Sequence, residues 1–163
     1  MRDIINLFPI SNYLQTSYHT KEVIQSLDKL QEEIFKKERS PVDILNKDIP
    51  FPLSDSLIKL AGDNNVDLNN SVAADMFFSD LREEISKLPI LTITLAISPT
   101  LELVKELNDW VIANVKGFAA TDFVVDKSLI AGAIVEFKGK TRDHSARKLL
   151  SGVSTVDNAD LRV

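Results

Sequence analysis

The hydrophobic pattern changes period at Leu88-Pro89-Ile90, and no single type of secondary structure accommodates both sides of that change. Before it, apolar residues recur every three or four positions, the spacing that puts them on one face of a helix. Val23, Ile24, Leu27, Leu30 and Ile34 mark a helix after Thr20 that ends before Ser40-Pro41. Ser40-Pro41-Val42-Asp43 has the form of a capping box opening a brief second helix. Pro50 and Pro52 then break the chain, Ser54 begins another short helix ending at Gly62, and a last one starts near Asn70. That last helix places Val72, Met76, Phe77, Leu81, Ile85 and Leu88 on one side and stops at Pro89. Short helices are marginal in water by themselves, so residues 1–88 are expected to form a small helical bundle.

After Pro89 the pattern is that of strands. Leu91, Ile93, Leu95 and Ile97 fall on one face of residues 90–97, with Thr92, Thr94 and Ala96 on the other, as in a half-buried strand. Ser98-Pro99 reads as a helix start, serine capping and proline in the first helical position. Leu103, Val104, Leu107, Val111 and Val115 supply that helix with an apolar stripe, Trp110 lies on its flank as a core-type residue, and Lys116-Gly117 ends it. Residues 118–125 return as a strand, and the apolar run 129–137 reads as a buried strand interrupted only by Gly132, where something approaches the bare backbone. Lys138-Gly139-Lys140 turns the chain, and Asp143 or Ser145 caps a closing helix. The expected class is α+β: a helical bundle over 1–88, a small strand-helix-strand-strand-helix domain over 89–150, and a polar tail over 151–163 that frays.

Two short elements in the second half resemble a family signature. Asp126-Lys127-Ser128-Leu129-Ile130-Ala131-Gly132 has the form Asp-x-Ser-hydrophobic-hydrophobic-small-Gly, and Asp143-His144-Ser145-Ala146-Arg147 the form Asp-x-Ser-x-Arg opening a terminal helix. In this order and separation they resemble the C-terminal region of the delta subunit of the F-type ATP synthase, the oligomycin-sensitivity-conferring protein of mitochondria. The family usually has glycine where this chain has His144, and often an acidic residue near the turn that here carries Lys138 and Lys140. The resemblance covers residues 90–150, and residues 1–88 carry no motif of the family, whose N-terminal bundle is usually longer. It implies a non-catalytic peripheral-stalk subunit without cofactor or metal, which links the C-termini of the b subunits to the catalytic hexamer. In the family the N-terminal bundle grips the N-termini of the alpha subunits. Asp126, Ser128, Gly132, Asp143, Ser145 and Arg147 are the structural or interface residues that the resemblance singles out. It also implies a place on the cytoplasmic face of a bacterial inner membrane, reached through partners.

Composition narrows the alternatives. The chain has no cysteine, which excludes disulfides and thiolate metal sites. The N-terminus lacks the continuous apolar core of a signal peptide, and no apolar run approaches the roughly 20 residues that span a bilayer. Residues 1–88 hold 10 Lys+Arg against 15 Asp+Glu, while residues 89–163 hold 9 of each. The acidic half is a poor surface for phosphates. Lys138, Lys140, Arg142, Arg147 and Lys148 form a basic cluster, read first as lysine protection of a sheet edge, then as a site for an acidic protein partner, and last as an RNA contact. His19 and His144 lack metal-ligand spacing, and Asp143-His144-Ser145 is too close in sequence to assemble a hydrolytic triad. Glu32-Glu33 and Glu83-Glu84 lie on amphipathic helices as solvated faces, and the glycines are too scattered to cradle a phosphate. Beside the stalk subunit stand a free-standing protein-binding or assembly module built on the same α/β domain, and a small RNA-associated protein.

Overall fold

The computed structural model describes residues 5–36, 38–115 and 118–153. The chain divides into two compact units with the boundary between Leu88 and Pro89, and the α+β class read from the sequence holds.

The first unit contains a 3₁₀ turn, Phe8–Tyr13, and the helices α1 (Ser17–Lys36), α2 (Pro41–Asp48), α3 (Leu53–Asp63) and α4 (Ser71–Ser86). α1 begins a turn earlier than expected: the Thr16 hydroxyl accepts the His19 N–H at 3.2 Å, and Thr20 is already inside the helix and buried. The Ser40 hydroxyl accepts the Asp43 N–H, as the capping pattern requires. Asn70 opens α4 by accepting the N–H groups of Val72 and Ala73. Val23, Leu27, Leu30, Ile34, Ile44, Leu57, Leu60 and Phe78 fill the core.

α4 is rotated relative to the expected face. Ala74, Phe77, Phe78, Leu81 and Ile85 are buried, whereas Val72 and Met76 are exposed. Apolar residues cover so much of this helix that its period admits two faces. Burying the adjacent Phe77 and Phe78, whose rings meet edge to face at 5.3 Å, removes more apolar area from water than burying Val72 and Met76.

The second unit is a four-stranded mixed sheet, β1 (Ile90–Leu95), β2 (Ala120–Val125), β3 (Ala133–Phe137) and β4 (Lys140–Asp143), in the order β2-β1-β3-β4. α5 (Leu101–Asn114) crosses from β1 to β2, which run parallel with Leu91 opposite Thr121. β3 is antiparallel to β1 and β4 antiparallel to β3. α5 lays Val111, with Leu107 and Val115, on Leu91, Ile93, Phe123, Val135 and Phe137. A polar clip lies within this layer: the Thr121 hydroxyl donates to the Asn108 side-chain carbonyl at 2.6 Å, both residues being buried.

Several expectations for this unit need correction. The strand expected over 129–137 starts only at Ala133, because Lys127–Leu129 is a 3₁₀ turn and both Ile130 and Gly132 have positive φ. A fourth strand, β4, was not expected; its sequence Lys-Thr-Arg-Asp has no apolar member and pairs solely through backbone. Thr100, not Ser98, caps α5, accepting the Leu103 N–H at 3.2 Å, so Pro99 stands outside the helix. Ile97 lies beyond β1 and is exposed, and Trp110 is 56% exposed on the side of α5 turned from the sheet. β2 begins two residues after 118. The expected stop at Lys116-Gly117 lies outside the described residues, as does the tail from residue 154 on; residues 151–153 belong to α6 (Ala146–Val153) rather than to a frayed end.

Candidate functional site

The six residues singled out by the two sequence elements converge. Asp126 accepts the Ser128 N–H at 2.9 Å and starts the 3₁₀ turn. Arg147, from the first turn of α6, donates through Nη1 to the Ser128 hydroxyl at 2.9 Å. Both contacts meet at Ser128, which joins Asp126 to Arg147 through its N–H on one side and its hydroxyl on the other. Asp143 accepts the Ser145 N–H at 2.8 Å, and the fully buried Ser145 accepts the Lys148 N–H as the N-cap of α6. Of the two residues read as alternative caps, Ser145 is therefore the cap, and Asp143 holds the residue before the helix.

Gly132 is where the two elements touch. A β-carbon there would stand 2.3 Å from the His144 carbonyl oxygen and 3.1 Å from Ser145 Cα. Flanking it, the His144 N–H donates to the Ala133 carbonyl and the Ala146 N–H to the Ala131 carbonyl, both at 2.9 Å. The close approach anticipated at this glycine is thus backbone on backbone, and it fastens the root of α6 to the segment before β3.

The electrostatics follow from these bonds. The Ser128 hydroxyl, then its N–H, hold the Asp126 carboxyl below its usual value, with the Arg147 charge adding to the effect. Asp143 is lowered in the same way, first by the Ser145 hydroxyl, then by its N–H. Carboxylates that are stabilised as anions by caps are poor general acids. Asp143, His144 and Ser145 form a cap instead of a proton relay, since both oxygen-bearing side chains are turned to backbone N–H groups. Glu33 pairs with Lys36 and Arg39, and Glu83 with Lys87, on helix surfaces. Among the described residues no group of three or more His, Asp or Glu side chains is placed to hold a metal ion, and no helix is long and apolar enough to cross a membrane.

What the arrangement offers is surface. In the first unit an open groove of about 520 Å³ runs between α1, with His19, Glu22 and Lys29, and the Pro50-Phe51-Pro52 segment. In the second, β4 is an edge strand whose Lys140, Thr141 and Arg142 are all exposed, in keeping with lysine protection of an edge. Lys138 lies over the Phe137 ring at 5.1 Å. α6 exposes Leu149 and Leu150, and Ile130 is exposed beside its root. Sequence reasoning missed these three, along with the Asn108–Thr121 clip; the high amphipathicity of 146–153 was the available signal for the leucines.

No protein-family model matches this chain, and no curated protein matches it.

Proposed function

We propose that this protein is a delta-type subunit of a proton-translocating F-type ATP synthase, a static connector in the peripheral stalk. The observation that supports the reading is the junction just described. The two elements that carry the resemblance are 11 residues apart in sequence, from Gly132 to Asp143. They form one clasp in which Arg147 bonds Ser128 across the two elements, Asp126 and Asp143 each hold an N–H of their own element, and Ser145 caps α6. The β3–β4 hairpin brings the two elements side by side, and the bond between Arg147 of one and Ser128 of the other is what supports the reading.

In this reading the protein does no bond chemistry. Torque from the rotor tends to turn the catalytic hexamer, and the connector resists it by binding the hexamer and the b subunits at once. The α/β unit takes the C-terminal segment of b, and the helical unit takes the N-termini of the alpha subunits. It works on the cytoplasmic face of a bacterial inner membrane, held there by partners. Copurification of tagged full-length protein with alpha and b subunits from its own organism is expected, and both associations should survive washing. Recovery of neither would remove the reading.

A free-standing assembly module is the second reading, favoured by the first unit, whose described part is four helices and a 3₁₀ turn without a motif of the family. It predicts capture of b-like or unrelated helices by the α/β unit without any alpha subunit.

A further inference from the structure

The local backbone at Ile130 is strained without any internal return. Its φ of 67° and ψ of −55°, with the Ala131 N–H donating to the Leu129 carbonyl at 2.7 Å, close a γ-turn of the rare positive-φ kind. A β-branched residue is the least suited to that region, and glycine would occupy it freely. Leu129 before it is fully buried, yet Ile130 is 64% exposed. Burial therefore does not offset the strain. Strain held at an exposed apolar side chain is a mark of presentation to something else.

Two further observations surround this residue. α6, rooted beside Ile130 through the Ala146–Ala131 bond, has Ala146 half-buried and residues 147–151 exposed, with Leu149 at 70% and Leu150 at 54%. Ala146, Leu149 and Leu150 have the i, i+3, i+4 spacing of a ridge that packs against another helix. Around them stand Lys127, Arg142, Arg147 and Lys148, with Lys138 and Lys140 along the neighbouring hairpin. None of these six cations makes an ion pair among the described residues, whereas Lys36, Arg39, Arg82 and Lys87 of the first unit all have carboxylate partners. Asp126 and Asp143 offset part of the Arg147 and Lys148 charge, which helps to hold those carboxyls low, yet residues 126–148 still carry six cations against three carboxylates, Asp126, Glu136 and Asp143.

We propose that the corner formed by Ile130 and α6 is the docking surface for an amphipathic helix of another chain that carries acidic flanks. The apolar ridge of that helix covers Ile130, Leu149 and Leu150, and its carboxylates answer the cations around them. The exposed large apolar side chains of the corner, Ile130, Leu149 and Leu150, are all aliphatic and give a base no ring to stack on, which favours a helix over RNA. The occupant's identity as the b C-terminal segment rests on the stalk reading; the surface itself does not.

The test is binding of the full chain to three labelled probes, followed by fluorescence anisotropy: the C-terminal segment of b from the same organism, a designed Leu-ridged helix with Glu flanks, and the same helix with Lys flanks. Ile130→Gly is expected to keep or raise the melting temperature while weakening binding about tenfold or more, a loss typical of an interface anchor. The double variant Lys127→Glu/Lys148→Glu should weaken binding and flatten its salt dependence, and Lys59→Glu on the other unit should leave it unchanged. If the b segment binds and the corner variants lose it, surface and stalk reading both stand. If b binds all variants equally, the corner is overturned and the stalk reading survives. If only the Glu-flanked helix binds, and the variants lose it, the corner stands and the stalk reading falls. Equal binding of both designed helices, or binding of no probe, overturns the corner.

Discussion

Gly132 and Gly139 share a left-handed backbone but not a neighbourhood. Gly139 (φ 72°) follows Lys138 (φ 49°) in the two-residue link between β3 and β4, where positive φ at both positions matches the twist of the strands. Nothing lies within 4 Å of a β-carbon placed there, so Gly139→Ala should cost only the left-handed penalty of about 1–2 kcal/mol. At Gly132 the same penalty is joined by a collision with the His144 carbonyl. Gly132→Ala is therefore expected to cost clearly more, roughly another 1–3 kcal/mol for overpacking. Urea titrations of the two variants check the ordering; equal losses would mean that α6 is not seated on Gly132. The Asn108–Thr121 pair makes a second residue-scale case. Asn108→Ala removes the acceptor of a buried hydrogen bond, and a loss of about 1–3 kcal/mol is expected, with a marginal change showing that the helix can slide to compensate.

At the scale of elements, α6 depends on its caps and on the Arg147–Ser128–Asp126 contacts more than on burial. Ser145→Ala should loosen it by about 0.5–2 kcal/mol, read as faster amide exchange in α6 with the strands little affected. Acid should act on the same joint. Asp126 and Asp143 have folded values below the ordinary one, so their contribution is complete above the usual carboxylate range near pH 4. It is lost as pH falls through the depressed folded values, because the unfolded chain then binds protons more readily. Asp126→Asn/Asp143→Asn should flatten that acid-side decline, and an unchanged slope would show that the caps carry none of it. The elements also show what a sequence makes legible. Alternation in 90–97 and the stripe of α1 are readable because one face of each meets a core and the other meets water. β4 was not readable, since its pairing is backbone on backbone and its side chains stay outside. The run 129–137 misleads for a related reason: it is apolar throughout, but Leu129 is buried, Ile130 is exposed, and only the part from Ala133 is strand. Polar residues with local roles fared better. Asp126, Ser128, Asp143 and Ser145 were legible because cap chemistry depends on spacing of two or three residues, whereas the pairing of Asn108 with Thr121 required the crossover to bring distant residues together.

For the whole molecule, the boundary between Leu88 and Pro89 separates a helical unit rich in ion pairs from a sheet unit whose residues 126–148 carry six cations against three carboxylates. Limited proteolysis is expected to cut first near this boundary and to release a C-terminal fragment that keeps its strand signal; resistance until global unfolding would make the two units one cooperative body. The division suits a connector, which must hold two different partners with two different surfaces. The proposed connector function has a direct assay. On the proposed reading, membrane vesicles from the protein's own organism that are stripped of this subunit should hydrolyse ATP without pumping protons efficiently, because the hexamer is free to slip. Adding the purified full-length protein is expected to restore ATP-driven proton pumping, while the protein alone hydrolyses no ATP. Vesicles that bind the protein yet remain uncoupled, or that never bind it, would contradict the account.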